Sequence, residues 1–330
     1  MKYSKLTSAL AAATMISGAA AAEDLVLPSE VAATHWKTEY MEQFATDVGE
    51  ATDGEIGVKI FPAGQLYSDQ AALGALGTGA VHMVWPVSVR LETIAPETGV
   101  INLPFAISDE MMQNECMKSG VTELLSAEMT DSGLRVLGLL RTADLYFIFS
   151  DRKVMSKEDL QGAKVRVTGG RVVQDTMRAL GISPVSMAAS EMSTALSQGA
   201  IDGVFTSPAG WSEMIGMTGE NAFYVPGFSI LTYAIVVDDN WFQNLPPEQR
   251  DAIQNSVDEI SATQWNEAIE KDKGSLEKMT SQGANLVTAD EAEIAEWREL
   301  TSETAANFTD QYPQVIEAMD KLKVDCGTAG

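Results

Sequence analysis

The chain has 330 residues, 45% hydrophobic and 21% charged, with no low-complexity tract, so it can build packed cores in two domains or one large α/β domain. Its 47 Asp and Glu against 22 Lys and Arg give a formal net charge of −25, and the basic residues form no stripe, which argues against nucleic acid and against an anionic membrane surface. Such an exterior also repels anions at long range, so an anionic ligand needs local positive charge.

In chain order, Lys2 and Lys5 precede an Ala-rich apolar stretch from Leu6 to about Ala19, which ends in Ala20-Ala21-Ala22 before Glu23. A charged segment, an apolar run and a small-residue cleavage site read as a secretory signal peptide over 1–22, cut near Ala22-Glu23. The run is shorter than the roughly 20 residues of a membrane span, and no later segment is long and apolar enough. An exported, soluble protein without membrane insertion is expected, its charge taken from −25 to −27 by the loss of two lysines.

The mature chain opens with a short strand at 24–27 and a helix over about 34–51. "EIGVKIF" (55–61) alternates Ile56, Val58 and Ile60 on one face and reads as a strand closed by Pro62-Ala63-Gly64. A helix near 69–77 and the strand "AVHMVWP" (80–86) follow; "GALGTG" (74–79) lacks dinucleotide-loop spacing and reads as a helix end and turn. Further strands are predicted at 134–140, 145–150, 164–168, 183–188, 201–207 and 233–239, with helices at 107–132, 171–181 and 190–199. That alternation is the signature of an α/β protein.

From Pro246 the text changes. Ile253, Val257, Ile260, Trp265 and Ile269 recur at helical spacing, and the helix runs to about Gln282 before Gly283, long enough to span two domains. Crossings near 142–145, near 230–233 and along this helix make a hinge. Lobe I is assigned 23–143 with 232–271, lobe II 144–231 with 272–320, and a C-terminal tail 321–330.

Catalytic signatures are sparse. There is no G-x-S-x-G elbow, P-loop, C-x-x-C or zinc-spaced histidine pair, so neither a cofactor nor a metal is indicated. His82 sits in an apolar strand, while His35 opens a helix beside Trp36, where it caps the helix or lines a cleft. Cys116 and Cys326 permit one disulfide in an oxidising compartment; two free thiols fit equally well.

The sharper signal is Arg166, in "AKVRVTGG" (163–170). If Val165 and Val167 face one layer, Arg166 faces the other, at the carboxyl end of a strand where α/β proteins place ligands. Its guanidinium pairs either with a ligand carboxylate or with an internal Asp or Glu.

"DLQGAKVRVTGG" and "ALGISPVSMAASEMSTALSQGAIDGV" (179–204), with "FPAGQLYSDQAALGALGTGAVHMVW" (61–85), "INLPFAIS" (101–108) and "LPPEQRDAI" (245–253), closely resemble the solute-binding proteins of tripartite ATP-independent periplasmic (TRAP) transporters, the dicarboxylate-binding-protein (DctP) family. The resemblance covers most of the mature chain. It implies a periplasmic binding protein-like fold of type II, with two α/β lobes, a hinge and a long domain-spanning helix. It also implies a periplasmic protein that performs no reaction, closes on a small organic acid and delivers it to the TRAP permease membrane subunits. By the same resemblance Arg166 binds the ligand carboxylate.

The branches that bind sialic acid and related acids carry a second arginine where this chain has Tyr146, an acid where it has about Val87, and an aromatic where it has Ala189. After "DG" this chain reads Val204-Phe205-Thr206-Ser207-Pro208, offering hydroxyls in place of an amide. A less polar or differently placed ligand is therefore expected, oriented by the hydroxyls of Thr206 or Ser207 and of Tyr146. Trp85, Tyr146, Trp211 and Tyr233 are candidate apolar walls, although core packing explains each singly. Phe147 and Phe149 then face the core. Arg90, in "SVRL", matches a family position near the cleft, with a surface salt bridge as the other reading. The rival function is a secreted α/β enzyme or a ligand-sensing subunit on the same scaffold.

Overall fold

Eleven strands occur among residues 23–328, the part of the chain that the structure, a computed structural model, describes. They are β1 (Glu23–Pro28), β2 (Ile56–Phe61), β3 (Met83–Val84), β4 (Leu134–Asp144), β5 (Tyr146–Phe149), β6 (Lys164–Val167), β7 (Ser183–Ser186), β8 (Gly203–Thr206), β9 (Asn221–Tyr224), β10 (Ile230–Asp238) and β11 (Asn285–Thr288). The signal-peptide reading of 1–22 lies outside the described residues.

Two α/β lobes result. In lobe I, β1 pairs parallel with β2, and β10 lies antiparallel between β3 and β4. The His82 N–H donates to the Val26 carbonyl at 3.1 Å, setting β1 beside the β3 segment. Every residue of β10 is buried, which is why "ILTYAIVVD" reads as an apolar run without alternation. Lobe II is a six-stranded sheet in the order β11-β9-β5-β8-β6-β7, with β6 parallel to β7 and β8, and β5 antiparallel to β8 and β9.

The lobes are joined by continuous backbone. Only Leu145 separates β4 from β5. The helix Pro247–Ser281 has 35 residues, roughly 50 Å at about 1.5 Å per residue. It packs on the helix Trp36–Ala51 and on β4 in lobe I, and reaches the turn Gly210–Ile215 of lobe II. It ends at Gln282, and Gly283 follows at φ +99°, a left-handed conformation that glycine adopts without strain.

At the crossing, the β4–β10 register shifts between Leu231 and Thr232, opposite Arg141. Gln264 of the long helix replaces the lost ladder bonds, accepting from the Arg141 N–H at 2.8 Å and donating to its carbonyl at 2.7 Å. The buried Arg141 guanidinium meets Asp109 at 2.7 Å, Asp144 at 2.7 Å and Asp272 at 2.5 Å. One cation thus ties lobe I, the crossing strand and the long helix.

Several elements differ from the sequence reading. The helix expected over 107–132 is broken at Asn114, whose extended backbone (ψ 117°) ends Asp109–Gln113 and whose side chain caps Glu115–Met129. The expected strand 80–86 shortens to β3. The expected tail at 321–330 is corrected: the helix Pro313–Asp325 runs through its first half. The four-residue strands β9 and β11 and the helix Glu291–Gln311 are added.

Cys116 and Cys326 form a disulfide with a Cα–Cα separation of 5.6 Å, inside the range a bridge requires. It pins the last helix to Glu115–Met129 across 210 residues of sequence. Replacing both cysteines by serine is expected to lower stability by about 2–4 kcal/mol through the freer unfolded chain, read as a lower urea midpoint. An unchanged midpoint would show the bridge to be dispensable.

Candidate ligand-binding site

Strand register assembles one half of the site. Arg166 is aligned with Val204 and Val185, and Tyr146 with Thr206, so Arg166, Thr206 and Tyr146 share one face of the lobe II sheet, by the two-residue period of strands. Val165, Val167, Phe147, Phe149 and Phe205 occupy the other face and are core. Thr206 ends β8 and Tyr146 begins the antiparallel β5, so all three lie at the end of the sheet that meets lobe I.

Arg166 is only 2% exposed, and its Nε donates to the Met187 carbonyl at 3.1 Å. It forms no ion pair among the described residues. Burial, then the neighbouring Arg90 charge, pulls its pKa down to about 10, with Glu30 acting in the opposite direction. It remains cationic at neutral pH, an expensive state that the protein leaves without a carboxylate partner.

Lobe I supplies the facing charges. Arg90, in the 3-10 turn Ser88–Thr93, has no ion pair among the described residues, and its Nε is buried without a partner. The alternative of a surface salt bridge is therefore corrected. Lys37 is fully buried: its Nζ donates to Asp69 Oδ2 at 3.3 Å and to the Trp85 carbonyl at 2.9 Å, and lies 4.4 Å from the centre of the Tyr233 ring. Asp69 accepts from the Glu30 N–H at 3.0 Å, and Glu30 accepts from the Asp69 N–H at 3.2 Å. Burial, then Asp69, raises the Glu30 pKa, against the pull of Lys37 and Arg90. Arg166, Arg90, Glu30, Asp69 and Lys37 thus form one electrostatic chain across the two lobes.

The other candidates divide. Tyr233 packs edge-on to Trp36 beside Lys37, and burial raises its phenol pKa strongly. Tyr146 stacks on Tyr224, with ring centroids 4.4 Å apart. The Ser207 hydroxyl accepts from the Gly210 N–H at 2.9 Å and caps the following turn. His35 caps its helix: Nδ1 accepts from the Lys37 N–H at 3.1 Å, and burial with nearby Lys37 and Lys271 lowers its pKa to about 4, so it is a neutral acceptor.

Trp85 and Trp211 are corrections. Both are 0% exposed and packed in core clusters in this structure. Trp85 packs on Phe44 and its indole N–H points at Met83 Sδ, whereas the Trp211 N–H donates to the Gly219 carbonyl at 2.6 Å. Their bulk fills cores beside the cleft.

Glu30, Asp69 and Lys37, which the structure brings beside the candidate residues, were not singled out from the sequence. A signal existed for one of them: Lys37, Met41, Phe44 and Val48 recur on the buried face of Trp36–Ala51, and a lysine on an apolar face needs a buried partner.

Residues 28–311 match the family described as bacterial extracellular solute-binding protein, family 7, DctP. A C4-dicarboxylate-binding periplasmic protein, DctP, of Shewanella loihica is 29% identical over 263 residues, 78% of this chain and 77% of that one. A TRAP periplasmic solute-binding protein from Shewanella oneidensis, solved with bound succinate, superposes with a TM-score of 0.81 at 26% identity, over 92% of this chain and 99% of that one. Another from Xanthobacter autotrophicus, solved with bound β-D-galacturonate, gives a TM-score of 0.82 at 20% identity, over 91% and 99%. The chain belongs to family 7 of the bacterial extracellular solute-binding proteins and is a TRAP-type solute-binding protein.

Proposed function

We propose that this protein captures a small organic acid with one main carboxylate in the periplasm and presents it to a TRAP permease, performing no reaction on it. The observation that carries this reading is the pair of guanidiniums, Arg166 and Arg90, placed near each other from opposite lobes without a carboxylate as ion-pair partner among the described residues. Three cations of the cluster, Arg166, Arg90 and Lys37, stand against two carboxylates, Glu30 and Asp69. One positive charge is left over for the ligand, which favours a monoanion over a dianion. Glu30 and the hydroxyls of Thr206, Ser207 and Tyr146 supply polar groups for ligand hydroxyls, which favours a hydroxylated acid beside the less polar or differently placed one expected from Tyr146, Val87 and Ala189.

A thermal-shift panel tests the reading, because a ligand that binds only the native state raises its melting temperature. Glucuronate and galactonate are expected to raise it by several degrees and succinate by less. A panel in which no acid raises it, and a neutral or cationic solute does, would refute the reading. Bound acid released by denaturation is expected back unchanged, whereas conversion would support an enzyme.

A further inference from the structure

We infer that Glu92 is a closure latch: its carboxylate, carried by lobe I, caps the N-terminus of the lobe II helix Arg171–Ala179 and holds the lobes together against the repulsion of Arg90 and Arg166. Glu92 Oε2 accepts from the Arg171 N–H at 2.5 Å and from the Val172 N–H at 3.1 Å. These are amides that a helix start leaves without internal partners, and a carboxylate there also meets the positive end of the helix dipole. Gly170 at the N-cap offers no side chain for the task, so the cap comes from the other lobe.

The carboxylate is built into place. Glu92 is 8% exposed, Asn102 Nδ2 donates to its Oε1 at 2.8 Å, and Ser88 Oγ donates to Asn102 Oδ1 at 3.3 Å. The approach also explains one glycine of "TGG". A Cβ on Gly170 would lie 2.9 Å from Val89 Cβ and 3.1 Å from Glu92 Oε1, and its φ of +80° disfavours any other residue. The junction therefore exists only when the lobes are together.

The attractive and repulsive groups ride on the same two segments. Arg90 lies two residues before Glu92 on one 3-10 turn, and Arg166 five residues before Arg171 on one strand-helix unit. Bringing Glu92 to its helix brings the two guanidiniums together as well. Arg166 is too buried here to be reached by solute, so the lobes must part for a ligand to arrive. On the reading that an acid's carboxylate settles between these guanidiniums, ligand cancels the repulsion and lets the latch hold; differential affinity for the closed state drives closure.

The test needs no ligand. Spin labels on Glu50→Cys in lobe I and Lys153→Cys in lobe II, with the native disulfide intact, report the interlobe distance by pulsed electron resonance. In ligand-free protein, Arg166→Met is expected to raise the population at the short distance of this structure. Adding Glu92→Gln, which keeps shape and removes charge, is expected to lower the closed-to-open ratio roughly tenfold, the scale of a partly buried charge at a helix end. Unchanged populations on adding Glu92→Gln would overturn the latch, and an Arg166→Met protein no more closed than wild type would overturn the repulsion. Because no acid is present, either failure is distinct from a failure of acid binding.

Discussion

Arg166→Met is expected to weaken binding of the acid identified by the thermal panel by roughly 30- to 5,000-fold, about 2–5 kcal/mol, the cost of losing one partner of a desolvated charge pair. The same variant is expected to leave the ligand-free melting temperature unchanged or raised. This second outcome separates the two roles a buried arginine can have. In an internal salt bridge, removing the cation strands a buried carboxylate and destabilises the fold. Among the described residues the guanidinium makes one internal hydrogen bond, to the Met187 carbonyl, and the strongest charge acting on it is the repulsive Arg90. Methionine fills similar volume without the desolvation cost. Calorimetry and thermal melts of the variant check both outcomes; unchanged affinity, or a large fall in melting temperature with affinity kept, would return Arg166 to a structural role.

What the sequence made legible is what repeats locally. Strand alternation gave Arg166 a face opposite Val165 and Val167, and the structure places those valines in the core. Helical spacing after Pro246 gave the long helix its length to within a residue or two of Ser281. The counter-charges of the candidate site were not legible in this way, because Glu30 and Asp69 meet across 39 positions, and neither was the helix cap of Glu92, which meets Val172 across 80. Nothing in the flanking residues of a carboxylate distinguishes a solvated one from one that caps a helix in another lobe. The large aromatics misled for a related reason: an indole at a strand end fits a ligand wall and a core equally well, and only the observed partners of Trp85 and Trp211 decide. Arg141 also escaped notice, since its three carboxylates come from a lobe I helix, its own strand and the long helix.

That arrangement sets the second large effect. Arg141→Met is expected to destabilise the fold by about 3–5 kcal/mol at pH 8, because three carboxylates at the hinge lose the cation they share. The effect should shrink as pH falls. In the intact protein, burial already raises the Asp272 pKa to about 7, against the pull of Arg141, with Asp144 and Asp109 adding to the rise. Burial likewise raises that of Asp144. A carboxyl whose folded pKa lies above its unfolded value of about 3.9 favours the folded state fully below that value, and loses the contribution as pH rises through the folded pKa. For Asp272 the window is therefore about pH 4 to 7. Without Arg141 the attraction that moderates each rise is gone, so the folded pKa values climb further and the variant recovers stability between pH 8 and pH 5 by more than wild type does. Urea midpoints of both proteins at the two pH values measure the difference. An equal loss at pH 5 and pH 8 would mean that Arg141 acts through its packing against Gln264 and the bulged strand, with the charges at the hinge already relieved by solvent.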